Sequence, residues 1–156
     1  AVEHPDDYEA RANLMWAGSW AINDFLKLGK MVPWSVHPME HELSAYYDIT
    51  HGAGLAILTP HWMRHVLNSR TVEKFRTYGV NVWDVPEDMP SREAAELAIK
   101  RTADYFKALG LPSRLSEVGI DEKYLEIMAE KSASRMKGTY VELTKDEILQ
   151  IFKEAM

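Results

Sequence analysis

Apolar side chains recur at helical spacing along almost the whole chain, and no segment sustains the strict alternation of a half-buried strand. This pattern excludes a sheet-based fold and predicts an all-α, multi-helix bundle of about six to eight helices. Asp6 or Asp7 can cap a first helix that runs to about Leu28 and stops at Gly29. Its apolar face carries Leu14, Gly18, Ala21, Ile22, Phe25 and Leu28, and Gly18 there permits close approach of a neighbouring helix. Met31 to Ser35 reads as a connector broken by Pro33. Pro38 suits the first turn of a helix over 38–47, and 48–50 is a turn. The next helix, 51–68, is small and apolar nearly all round at 53–58, so it belongs in the middle of a bundle, and Pro60 predicts a kink or a join. A short helix over 71–78 should stop at Gly79. Ser91 should cap a helix ending at Gly110, with Ala95, Leu97, Ala98, Thr102, Tyr105, Phe106 and Leu109 inward. Asp121 should cap a helix over 122–134, and Thr144 with Glu147 forms a capping box that opens the last helix. Thr139-Tyr140-Val141 is the one candidate extended piece.

A length of 156 residues fits one ordinary domain with a core of its own. The 18 Lys and Arg against 24 Asp and Glu give a net charge of −6, the wrong sign for a nucleic-acid partner. The absence of Cys excludes a disulfide framework, thiolate catalysis and Cys-ligated metal. No apolar run reaches the ~18–20 residues of a membrane span. The start is acidic, polar and without Met, which reads as no signal peptide and fits a processed or excised end. A cytoplasmic setting is the matching expectation.

The histidines carry the chemistry. Of six, five lie between positions 37 and 65. Neutral imidazole is the commonest protein ligand for metals and suits zinc and iron. His37 and His41, four apart, can share a helix face, as can His61 and His65. His37 and His51 are fourteen apart, and two antiparallel helices joined by the intervening turn can bring both rings to one point. Spacing alone does not choose among these pairs. A bundle histidine is ordinarily a hydrogen-bonded core or surface residue. That reading suits His61 and His65, placed on the outside of their helix. The cluster at 37–51 is richer, with Ser44, Ala45, Gly52, Ala53 and Gly54 allowing close packing or ligand approach. Glu40 and Glu42 read as solvated acids, and the Trp and Met residues mostly as core. No Gly-x-Ser-x-Gly elbow, complete His-Glu-x-x-His, Gly-x-Gly-x-x-Gly or Walker loop occurs.

The run Trp34-Ser35-Val36-His37-Pro38-Met39-Glu40-His41-Glu42-Leu43-Ser44-Ala45-Tyr46-Tyr47-Asp48-Ile49-Thr50-His51-Gly52-Ala53-Gly54-Leu55-Ala56 resembles the second signature of the iron-containing (group III) alcohol dehydrogenases. It looks most like their butanol dehydrogenase and NADPH-dependent aldehyde reductase branch. Residues 10–17, 109–115, 119–121 and 143–149 extend the likeness over nearly the whole chain. The resemblance implies a dehydroquinate synthase-like helical domain over 1–156, without the N-terminal α/β domain that binds NADP or NAD. It implies a divalent metal, Fe2+ or Zn2+, held by an Asp and a His four apart on an earlier helix and by two His matching His37 and His51. It places His41 near the nicotinamide, as a catalytic and cofactor-binding residue rather than a metal ligand, which displaces the first pairing of His37 with His41. Nothing before His37 matches the Asp-x-x-x-His element. The expectation is therefore a fragment of a longer enzyme acting on primary alcohols and aldehydes, inactive alone. Its expected partners are the missing nucleotide-binding domain, a small alcohol or aldehyde and further copies of itself. Ser44 and Trp34 are expected to shape the substrate pocket.

Two other readings stand beside this one. The chain could be a non-catalytic helical module that self-associates through exposed apolar surface. It could also be a free-standing metal hydrolase with His37, His41 and His51 as a three-His site.

Overall fold

The structure is a computed structural model that describes residues 1–30 and 32–156. The connector expected at Met31 to Ser35 therefore begins outside the described residues. Among the described residues there are seven α-helices, three short 3-10 turns and no strand. The helices are α1 (Tyr8–Ile22), α2 (His37–Tyr47), α3 (His51–Val66), α4 (Val72–Trp83), α5 (Ser91–Ala108), α6 (Leu125–Ala133) and α7 (Lys145–Glu154). The expected extended piece at Thr139–Val141 is a turn instead, with the Thr139 hydroxyl turned onto the carbonyls of Met136 and Val141.

The chain divides into two compact units, residues 1–33 and 34–156. In the first, Asp7 caps α1 by accepting from the Ala10 N–H at 3.0 Å. The helix ends at Ile22 and not near Leu28, because Asp24 takes a left-handed conformation at φ 67°. A 3-10 turn over Phe25–Lys27 follows, and Trp20 packs edge-on between Trp16 and Phe25. Within this unit, nothing lies within 4 Å of a Cβ built at Gly18.

The second unit holds the core. Met39 and Leu43 of α2, Ile57 and Leu58 of α3, Ile99 of α5, Met128 of α6 and Ile148, Ile151 and Phe152 of α7 are fully or almost fully buried together. Helix α3 is central as expected, packing on α2, α5 and α7. It runs unbroken through Pro60, so no join occurs there. Three further helix ends differ from expectation; one is α6, which starts at Leu125 after a separate 3-10 turn over Glu122–Tyr124 that Asp121 caps. Helix α4 continues through Gly79 to Trp83 and stops at Asp84 in the left-handed region. Gly79 serves close packing: a Cβ there would lie 3.0 Å from the Ala98 Cβ of α5. Helix α5 has Pro90 at its cap position and Ser91 as its first helical residue. Tyr105, expected inward, is exposed. The capping box of α7 is complete: the Thr144 hydroxyl accepts from Glu147 N–H, and the Glu147 carboxylate accepts from Thr144 N–H. Of the Trp residues read as mostly core, Trp62 packs against the core, while Trp16 and Trp34 are exposed.

Candidate metal centre

The sharp turn between α2 and α3 creates the site. Asp48 closes α2 in the left-handed conformation at φ 53°, and Thr50 starts α3 two residues later. His37 opens α2, His41 follows one turn on, and His51 opens α3. Their rings converge. The centroid distances are 5.2 Å for His37–His51, 5.5 Å for His41–His51 and 5.8 Å for His37–His41. Trp34 stands edge-on to His37 at 4.4 Å. His37 is half-buried, while His41 and His51 are exposed. Burial holds the His37 pKa below its ordinary value, with the neighbouring His51 and His41 adding to the effect and Glu40 opposing it. The neutral imidazole, the form that ligates metal, is favoured there.

Behind the rings lies Glu40, with no exposed surface. One carboxylate oxygen, Oε1, accepts the Ser44 hydroxyl at 2.6 Å, and the other, Oε2, meets His51 Nδ1. Ser44 also reaches the carbonyl of Ile49 at 3.2 Å. Ser44 thus ties the turn between α2 and α3 to Glu40. Glu42 is buried too, beside the Arg135 guanidinium at 2.9 Å. Reading both acids as solvated was wrong, since α2 packs on α3 through one face and on α6 through another. The signal that could have found Glu40 was its i,i+4 spacing from Ser44, together with a glycine at 54 to accommodate it.

Donor atoms of Glu40, His41 and His51 lie within 4.8 Å of one another. With His37 alongside, the imidazole and carboxylate donors fit a divalent zinc or iron ion by type. His61 and His65 take no part. His61 lines a separate cavity of about 220 Å3 with Arg64, Lys107 and Arg114, and burial first, then Arg64, lowers its pKa. His65 is largely buried, its Nε2 3.9 Å from Glu147, and does not sit on the outside of the helix as expected.

The fold and the site together define a helical bundle that gathers histidines at one turn. The family model for the Fe-containing alcohol dehydrogenase family, C-terminal, matches residues 1–156, and the chain belongs to that family. It is 58% identical over 160 residues to the NADH-dependent butanol dehydrogenase B of Clostridium acetobutylicum, covering 100% of this chain and 41% of that protein. The NADPH-dependent aldehyde reductase YqhD of Escherichia coli is 31% identical over 131 residues, 84% of this chain and 33% of that one. Among solved structures, the NADH-dependent butanol dehydrogenase A of Thermotoga maritima superposes with a TM-score of 0.86 at 30% identity, over 99% of this chain and 41% of that chain. The chain thus spans about two fifths of the length of the two butanol dehydrogenases and a third of that of the aldehyde reductase.

Proposed function

We propose that residues 1–156 are the helical metal-binding domain of a longer NAD(P)-dependent dehydrogenase that interconverts primary alcohols and aldehydes. The convergence of His37, His41 and His51 at the α2–α3 turn is the observation that carries this reading. Family membership and the names of the relatives support the reaction class. His37 and His51 each offer one ring nitrogen to a divalent ion, Fe2+ or Zn2+. Two further ligands would come from sequence outside this chain. When bound, the metal supplies Lewis acidity toward the alcohol or aldehyde oxygen, stabilising negative charge that develops there. His41, exposed on α2, faces the nicotinamide side in this reading and moves a proton or orients substrate. Trp34, edge-on to His37, borders the same space.

The cofactor, NAD or NADP, would be held by an N-terminal domain that is the principal partner of this one. Further copies are partners in the same reading, supported by exposed Leu14, Met15, Trp16 and Leu28. A cytoplasmic setting belongs to it as well. No described helix is long and apolar enough to cross a membrane.

The test is competition titration of this chain with zinc and ferrous iron. Binding should be measurable but weak, because half of the ligand set is present. His37→Ala and His51→Ala should each abolish it, and His65→Ala should leave it unchanged. In the longer enzyme, His51→Ala should lower kcat/KM by about a hundredfold or more, roughly 3 kcal/mol of transition-state stabilisation. Full activity of that variant would overturn the assignment.

A further inference from the structure

We infer that Glu40 is a positioning residue, which fixes the tautomer and direction of His51 by accepting its Nδ1–H and so turns Nε2 toward the metal. The inference rests on the metal reading above, but its evidence is separate. Glu40 has no exposed surface, and both of its carboxylate oxygens are engaged. Oε2 faces His51 Nδ1, and Oε1 takes the Ser44 hydroxyl. Ser44 is itself tied to the Ile49 carbonyl at the turn that leads into α3. The carboxylate is therefore clamped between the end of α2 and the beginning of α3.

Gly54 closes the clamp from behind. A Cβ at that position would lie 2.8 Å from Glu40 Cγ and 2.8 Å from Oε1, closer than real side chains approach. The glycine leaves room for this one side chain, and its packing keeps the carboxylate against His51. His51 in turn has a side chain that is 48% exposed, while that of Glu40 is 0% exposed. The ring therefore spans from a buried acceptor to the open face where His37 and His41 stand.

Glu40 could itself be counted as a donor, since its oxygen lies within reach of His41 and His51 nitrogens. Two features argue against direct ligation. A ligating oxygen would have to bind through its one remaining lone pair, beside the Ser44 or the His51 hydrogen bond it already accepts. It would also have to leave the floor of the site, where Gly54 and Ile49 pack on it. A carboxylate that holds the far nitrogen of a ligating imidazole sets ring orientation and raises ligand basicity. The geometry here matches that arrangement.

The experiment uses the 156-residue chain with 15N-labelled histidine and zinc as the probe. Long-range 15N–1H spectra of the metal-free chain should show His51 protonated at Nδ1. Glu40→Gln keeps an acceptor oxygen for His51, while Ser44 can turn its hydroxyl fully to Ile49. This variant should retain the Nδ1–H form and bind zinc within about threefold of the parent chain. Glu40→Leu removes the acceptor. His51 should then lose its tautomer preference, and zinc affinity should fall about 10–100-fold.

A His51 found mainly as the Nε2–H form in the parent chain overturns the proposal. So does an unchanged tautomer in Glu40→Leu. If Glu40→Gln weakens zinc as much as Glu40→Leu does while the tautomer holds, Glu40 is a ligand and the proposal also fails. Should Glu40→Leu not fold, the parent spectrum and Glu40→Gln still decide. Failure of the metal reading looks different: zinc affinity is then indifferent to His51→Ala, whatever the tautomer.

Discussion

Two glycines in the same helix make opposite demands. A Cβ at Gly52 meets nothing within 4 Å, whereas one at Gly54 would collide with Glu40 and come within 3.1 Å of Ile49 Cδ1. In a helix, alanine is ordinarily better than glycine by roughly 0.5–1 kcal/mol, because it loses less backbone freedom on folding. Gly52→Ala should therefore be neutral or slightly stabilising. Gly54→Ala gains the same entropy but overpacks against a carboxylate held on both oxygens, a strain of about 1–3 kcal/mol. Urea unfolding of the two variants side by side should separate them in sign. Equal midpoints would show that Glu40 can swing aside at little cost. The histidines at this turn were legible from residue type and spacing. Glu40 was legible only as an i,i+4 partner for Ser44; its burial depends on which helix faces meet, and local sequence does not carry that.

At the scale of the element, helix ends were readable where a side chain closes them and misread where packing does. Thr144 and Glu147 satisfy each other's backbone N–H groups, a local arrangement that is independent of the rest of the fold. Hydrogen bonds from the Thr144 backbone and hydroxyl hold the Glu147 carboxyl below its usual pKa, a sign that the contact favours the charged form. Thr144→Ala should cost about 1 kcal/mol of stability, within the usual range for a lost N-cap, and calorimetry would detect the lower Tm. Helix α7 supplies three fully buried core side chains, so fraying at its start should be felt globally. The stop expected at Gly79 failed for the complementary reason. A glycine signals a helix end only when the chain turns there. In α4 it faces Ala94 and Ala98 of α5, and its missing side chain sets how closely the two helices pack. Gly29 misleads in the same way: Asp24 breaks the first helix earlier, through a left-handed conformation that asparagine and aspartate tolerate better than other non-glycine residues.

For the whole molecule, the two units differ in what can hold them together. Every buried apolar side chain among the described residues lies at Val36 or beyond. Helix α1 has no buried residue, and Leu14, Met15, Trp16 and Ile22 are 65–75% exposed. A 15-residue helix with no buried residue in its own unit is marginal by itself in water, since its hydrogen bonds barely offset the entropy of ordering it. The hydrophobic term that sustains cooperative folding thus resides in residues 34–156. A chain beginning at Trp34 should unfold in a single transition within about 2 °C of the full chain. Amide hydrogen exchange should show residues 8–22 losing protection first and residues 148–152 last. A Tm lowered by about 10 °C on removing 1–33 would contradict this distribution. It would mean that the apolar side chains of α1 are covered in solution. Light scattering would then test for a second copy, which a mass above the 17.9 kDa of one chain identifies.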